Sequence, residues 1–297
     1  MTRAVTSSRP QGQDREGRLH PLVRVLAYFL ALAAINRIAF AGVAAVLPTA
    51  PYWLLSLLEG GAYLAGVLLL TWAFCRYLDR KPLVSLGLGK RGWLSNTVAG
   101  LGLGGGLIFL VFAVMLAAGW LTVEPSRPSL LPFLASALSW AALSFVEELT
   151  FRGYIMQGLA KAWAMPIAVV VSSLLFGMVH VIDPNVQFLA ILNICVAGLF
   201  FAVAYLVTRS LWLPAGIHVG WNLTEIQVLG FPGSGHTEPS LLTSTVTGPE
   251  VLTGGAFGPE GGLLGLAAWS LGIVLLLGYW IAYGRKRSAS SSHLHRI

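Results

Sequence analysis

The chain carries about eight apolar stretches, each long enough to cross a bilayer, and this pattern leaves few folds open to it. A helix needs roughly 20 consecutive apolar residues to span the hydrocarbon core. The stretches fall at 22–47, 53–75, 94–120, 131–159, 166–182, 188–207, 211–229 and 263–283. Composition agrees: 56% of the 297 residues are hydrophobic and 10% charged, where a soluble chain averages about a quarter charged. A mean hydropathy of +0.75 is too much apolar surface for a soluble fold to hide. The expectation is an all-α, polytopic membrane protein of about eight transmembrane helices. It forms one transmembrane domain over 21–284, with a disordered tail at 1–20 and a basic tail at 285–297. No connection is long enough to fold as a second domain.

Short cytoplasmic loops of membrane proteins carry the excess of Lys and Arg. Arg3, Arg9, Arg15 and Arg18 precede the first stretch, Arg76, Arg80, Lys81, Lys90 and Arg91 follow the second, and Arg285, Lys286 and Arg287 follow the last. All three segments therefore read as cytoplasmic. The segment 230–262 contains Glu238, Glu250 and Glu260 and no Lys or Arg, as the opposite side should. The net charge of +7 is a topology and anionic-lipid signal. Without an aromatic-interleaved basic patch, no nucleic-acid partner is expected. The Ser-, Gly-, Gln- and Arg-rich start is not a cleavable signal, since the first apolar run is too long for one. The Ala-, Gly- and Arg-rich composition points to a bacterial inner membrane. Cys75 and Cys195 lie in separate apolar stretches and read as small core residues.

Ionisable groups at membrane depth usually face a bundle interior or a wet cavity, where they pair or do chemistry. Here Glu147, Glu148 and Arg152 arrive together in Leu143-Ser-Phe-Val-Glu-Glu-Leu-Thr-Phe-Arg-Gly153. At 100° per residue, Glu148 and Arg152 are i, i+4 neighbours on one helix face, with the acid on the favourable N-terminal side. Glu147 points about 100° away and has no local partner, which makes it the better candidate for a working carboxylate. Two histidines keep the acids company. His180 closes Phe176-Gly-Met-Val-His180, and His218 opens His218-Val-Gly-Trp-Asn222, where His and Asn again share a face. His20, His293 and His295 fall in tails and His236 in the Gly-, Pro- and Thr-rich 230–262 segment, which reads as a long loop. A plain structural alternative is that both acids pin neighbouring helices together, as buried pairs do in some proteins.

EExxxR with Phe-Arg-Gly, then FxxxH, then HxxxN, in that order on successive apolar stretches, resembles the CPBP family, also called Abi or type II CAAX prenyl endopeptidases. Asn193-Ile-Cys-Val-Ala-Gly198 and Ser210-Leu-Trp-Leu-Pro214 extend the likeness, which covers about 131–229. Leu252-Thr-Gly-Gly-Ala-Phe-Gly258 and Arg80–Leu88 are weaker echoes. The resemblance implies an intramembrane endopeptidase acting on membrane-associated protein or peptide substrates, without a covalent acyl-enzyme. It makes Glu147 the general base on water, with His180 holding that water and His218 and Asn222 donating to the oxyanion. Glu148 and Arg152 then support the site from behind.

Glu147, His180 and His218 are also a plausible zinc-ligand set, although the HExxH helix of zinc proteases is missing. The resemblance favours metal-free catalysis with no cofactor. A transporter using the same groups as a proton relay, and a scaffold or immunity-type membrane protein, are the non-protease alternatives. Against a transporter, the halves show no inverted repeat and no paired broken helices. Arg24, Asn36, Arg37 and Glu59 are expected to snorkel or pair between helices. Glu225, seven residues after His218, is expected to line the same cavity. Gly102, Gly104, Gly105 and Gly106 sit in an apolar stretch with no strand before them, so they read as helix-packing residues and not a phosphate loop.

Overall fold

The computed structural model describes residues 19–294, with side chains described as far as residue 282. The basic groups expected in the tails, Arg3, Arg9, Arg15, Arg18, Arg285, Lys286 and Arg287, lie outside the residues whose side chains are described. The protein is an all-α integral membrane protein. Its helices are α1 (Pro21–Val46), α2 (Tyr52–Leu78), α3 (Trp93–Ala117), α4 (Leu130–Leu159), α5 (Met165–Ile182), α6 (Phe188–Thr208), α7 (Trp212–Asn222) and α8 (Leu263–Leu294). Among the described residues seven helices are long and apolar enough to cross a membrane. The expected eighth span, α7, is an 11-residue helix extended by a six-residue π-helical turn, Leu223–Val228, and is short for a full crossing.

Close backbone contact, made possible by glycine, sets how α7 sits. α7 packs most extensively against α3. A Cβ added at Gly104 would strike the Ile217 carbonyl, and one at Gly220 would strike the backbone of Leu101. Gly100, Gly104 and Gly105 all face α7, while Gly102 and Gly106 face open space, so only part of the glycine run acts in packing. This contact fixes the depth and rotation of the helix that carries His218 and Asn222. α6 packs between α5 and α8.

Two departures from a purely helical expectation lie on the face where α1, α3 and α5 end. Leu121–Pro125 (β1) and Leu242–Val246 (β2) form an antiparallel two-stranded sheet. The 230–262 segment, expected only as a long loop, is built from β2, the helical turn Glu250–Thr253 and two 3-10 turns. Asn193 of α6 holds it down: its Nδ2 donates to the carbonyls of Glu260 (3.0 Å) and Gly262 (2.7 Å).

Candidate active site

α4 delivers the acidic pair. Its regular part ends at Glu148, and Leu149–Ile155 continues as a wider π-helical turn. Such turns cluster at functional sites because they re-aim the side chains that follow. Arg152 still reaches back four residues: Nη1 donates to Glu148 Oε1 (2.8 Å), with both side chains almost fully buried. Nη2 donates to the Gly198 carbonyl (3.0 Å). The guanidinium also lies over the rings of Phe176 (4.3 Å) and Phe201 (4.9 Å), a favourable contact for a desolvated cation.

His218 ties the two acids to α7. Its Nδ1 lies 3.0 Å from Glu148 Oε1. A carboxylate only accepts, so Nδ1 carries the proton and donates. Its Nε2 then faces Glu147 Oε2 at 3.7 Å, too far for a direct hydrogen bond. Phe201 stacks on the imidazole, 4.6 Å between centroids. The chain Arg152–Glu148–His218 therefore fixes the ring's tautomer and aim, as a buried carboxylate does for a catalytic histidine. Sequence spacing gave Glu148 its Arg152 partner; the His218 contact spans 70 residues and no local pattern foretells it.

His180 ends the regular α-helical part of α5 and begins its closing 3-10 turn. Its Nδ1 is 2.8 Å from the Phe176 carbonyl, which again makes Nδ1 the donor and leaves Nε2 to accept. Phe176 stands between the histidines, 5.0 Å from His180 and 6.0 Å from His218. Asn222 Nδ2 donates to Ser144 Oγ (3.0 Å), and that hydroxyl donates to the Trp140 carbonyl (2.8 Å).

Glu147, His180, His218 and Asn222 all line one cavity of about 690 Å³, within the usual range for small-molecule and peptide sites. Glu148 and Arg152 sit behind its wall. Linear depth along straight helices would set His180 and His218 at different levels. The short α7, seated by its glycine contacts with α3, brings them to either side of Phe176. Among the described residues no three His, Cys, Asp or Glu side chains are placed to hold a metal ion. Glu147, His180 and His218, as arranged, do not form such a set.

Other wall residues escaped the sequence reading. Asn36 and Arg37 of α1 and Tyr63 of α2 line the cavity, whereas only snorkelling or pairing was expected of the first two. Their mid-span position was the signal. His236, assigned to a loop, lines the cavity with Ser234, Asp183 and Glu260, its ring 6.4 Å from Trp140. Glu225 does the reverse. The π-helical turn moves it off the His218 face, and it is buried with Trp221 Nε1 donating to its Oε2 (2.9 Å). Arg24 forms an interhelical pair, 2.6 Å from Asp79. At the rim, burial and the negative charge of Glu260 push the Asp183 carboxyl up to about 7. Burial raises Glu260 as well, partly offset by the Ser234 hydroxyl and amide that donate to it.

Residues 127–224 match the family model described as type II CAAX prenyl endopeptidase Rce1-like. The matched third of the chain contains Glu147, Glu148, Arg152, His180, His218 and Asn222. No curated protein and no solved structure was found to match.

Proposed function

We propose that the chain is an intramembrane endopeptidase hydrolysing membrane-associated polypeptides with a water activated by Glu147 and His180, a reading supported by the match of residues 127–224 to the type II CAAX prenyl endopeptidase family model. The observation that carries this reading is the convergence of Glu147, His180, His218 and Asn222, from three helices, on one cavity.

The geometry supports the following roles. A water between Glu147 and the Nε2 atom of His180 meets two acceptors, so its protons are held and its lone pair faces the substrate carbonyl. Glu147 takes the proton as the oxygen adds to the carbonyl carbon, and returns it to the departing amine. The tetrahedral oxyanion needs donors in a site poor in water, where each is worth on the order of 3 kcal/mol. In its imidazolium form His218 donates from Nε2, and Glu148 on Nδ1 balances that charge. Arg152, Glu148, Glu147 and an imidazolium at position 218 together sum to zero formal charge, an arrangement suited to a buried cluster. Asn222 supplies a second donor once its amide turns from Ser144. The mechanism uses side chains of this chain alone and calls for no metal.

The distribution of basic residues supports an orientation with both termini cytoplasmic. The decisive experiment reconstitutes the protein with membrane-tethered peptide reporters. Glu147→Ala, His180→Ala and His218→Ala should each abolish cleavage with unfolding temperatures unchanged. Ion flux dependent on Glu147 in the absence of cleavage would replace the protease reading with a transporter. Stoichiometric bound zinc whose chelation stops cleavage would overturn the metal-free step.

A further inference from the structure

The cavity has a direction. The wall residues it takes from outside the helices are Asp183, Ser234, His236 and Glu260, and all four belong to connections on one face of the bundle. The connections on that face are 47–51, 118–129, 183–187 and 229–262, and among them they contain a single basic residue, Arg127. On the other face, 79–92 carries Arg80, Lys81, Lys90 and Arg91, 160–164 carries Lys161, and 209–211 carries Arg209. No residue of these basic connections lines the cavity.

The basic face is also shut. Asp79 binds Arg24 of α1 at 2.6 Å and Lys161, just past α4, at 2.9 Å. Beneath them Tyr28 stacks on Tyr154 at 4.2 Å, with Phe74 edge-on to both. The 79–92 connection is bonded across this end, Gln157 Nε2 donating to the Leu86 carbonyl and Trp212 Nε1 to the Gly89 carbonyl. A polypeptide cannot reach Glu147 from here without breaking these contacts.

Basic loops stay in the cytoplasm, and moving Lys or Arg across costs on the order of 3 kcal/mol each at the bilayer centre. From this asymmetry we infer that the site is reached from the non-cytoplasmic side, so that its substrates are exported or outer-leaflet-anchored polypeptides and not proteins lipidated and anchored in the cytoplasm. This rests on the hydrolytic reading for the word substrate; the access side stands on charge and cavity shape alone.

The test is thiol labelling of the full-length protein in intact cells, in a Cys75→Ala, Cys195→Ala background, with a membrane-impermeant maleimide. Thr237→Cys, beside His236 at the mouth, and Val251→Cys, on the exposed Glu250–Thr253 turn, are expected to label in intact cells. Ser85→Cys at the shut end should label only after permeabilisation. Labelling of Ser85→Cys in intact cells, or failure of both mouth positions to label until permeabilisation, would overturn the inference. A reporter peptide displayed on either side of the membrane then separates the two readings. Glu147-dependent cleavage confined to the outward display supports both, and cleavage confined to the cytoplasmic display refutes the access side. Cleavage of neither refutes the hydrolase while the labelling still decides the access side.

Discussion

The two ends of this bundle use buried charge in opposite ways. At the shut end, Asp79 lies between Arg24 and Lys161, with aromatic rings packed beneath, and none of the three charged residues lines the cavity. At the open end, Arg152 pairs with Glu148, Glu148 aims His218, and Glu147 stops 3.7 Å from the same ring with cavity beside it. One cluster pairs its carboxylate directly with two cations; the other leaves one carboxylate short of a direct contact. Buried ion pairs alone are therefore poor markers of function in a membrane protein. The informative feature is the acid whose neighbours are held in place while it is not.

Substitutions that treat the ends differently sharpen this contrast. Glu148→Gln keeps the shape but removes the charge that holds the His218 imidazolium and offsets Arg152. Turnover should fall on the order of 10³-fold, as when a histidine loses its orienting carboxylate, with some loss of stability, both read from reporter cleavage and thermal unfolding. Asn222→Ala removes one oxyanion donor and should lower turnover about 10²-fold with little change in KM. At the shut end, Asp79→Asn leaves two cations without their carboxylate and should destabilise by about 3 kcal/mol, while turnover per folded molecule stays at the wild-type level. A matching loss of turnover would dissolve the distinction between the ends.

The smallest effect is one of pH. Asp183 titrates near 7, above its ordinary value, because burial and Glu260 disfavour its charge. The folded state then holds a proton that the unfolded state has already lost, so this group's contribution to stability falls as pH rises from about 4 toward 7. Thermal unfolding should show that slope in the wild type, and Asp183→Asn should flatten it.

Much of the helical frame was legible because hydropathy reports directly on what lipid demands: the helix ends from Pro21 to Thr208 fall within three residues of the apolar stretches. The motif residues were legible for a related reason, since charge at membrane depth is rare enough to stand out. What stayed hidden depends on distant pairings or on helix phase. β1 and β2 pair across more than a hundred residues, Glu148 meets His218 on another helix, and a π-helical turn turns Glu225 away from the cavity. Arg37 and Asn36 were visible as mid-span polar residues, but only the arrangement of α1 beside α4 shows that they share a wall with Glu147.

The central claim is that Glu147, aimed into the cavity but held by no close partner, activates the hydrolytic water. Cleavage of a membrane-tethered peptide by purified, reconstituted protein tests it most directly, comparing wild type with Glu147→Ala at matched unfolding temperature. The wild type should cleave clearly, and the variant should fall on the order of 10⁴-fold, to background. Full cleavage by a folded Glu147→Ala protein would contradict the claim.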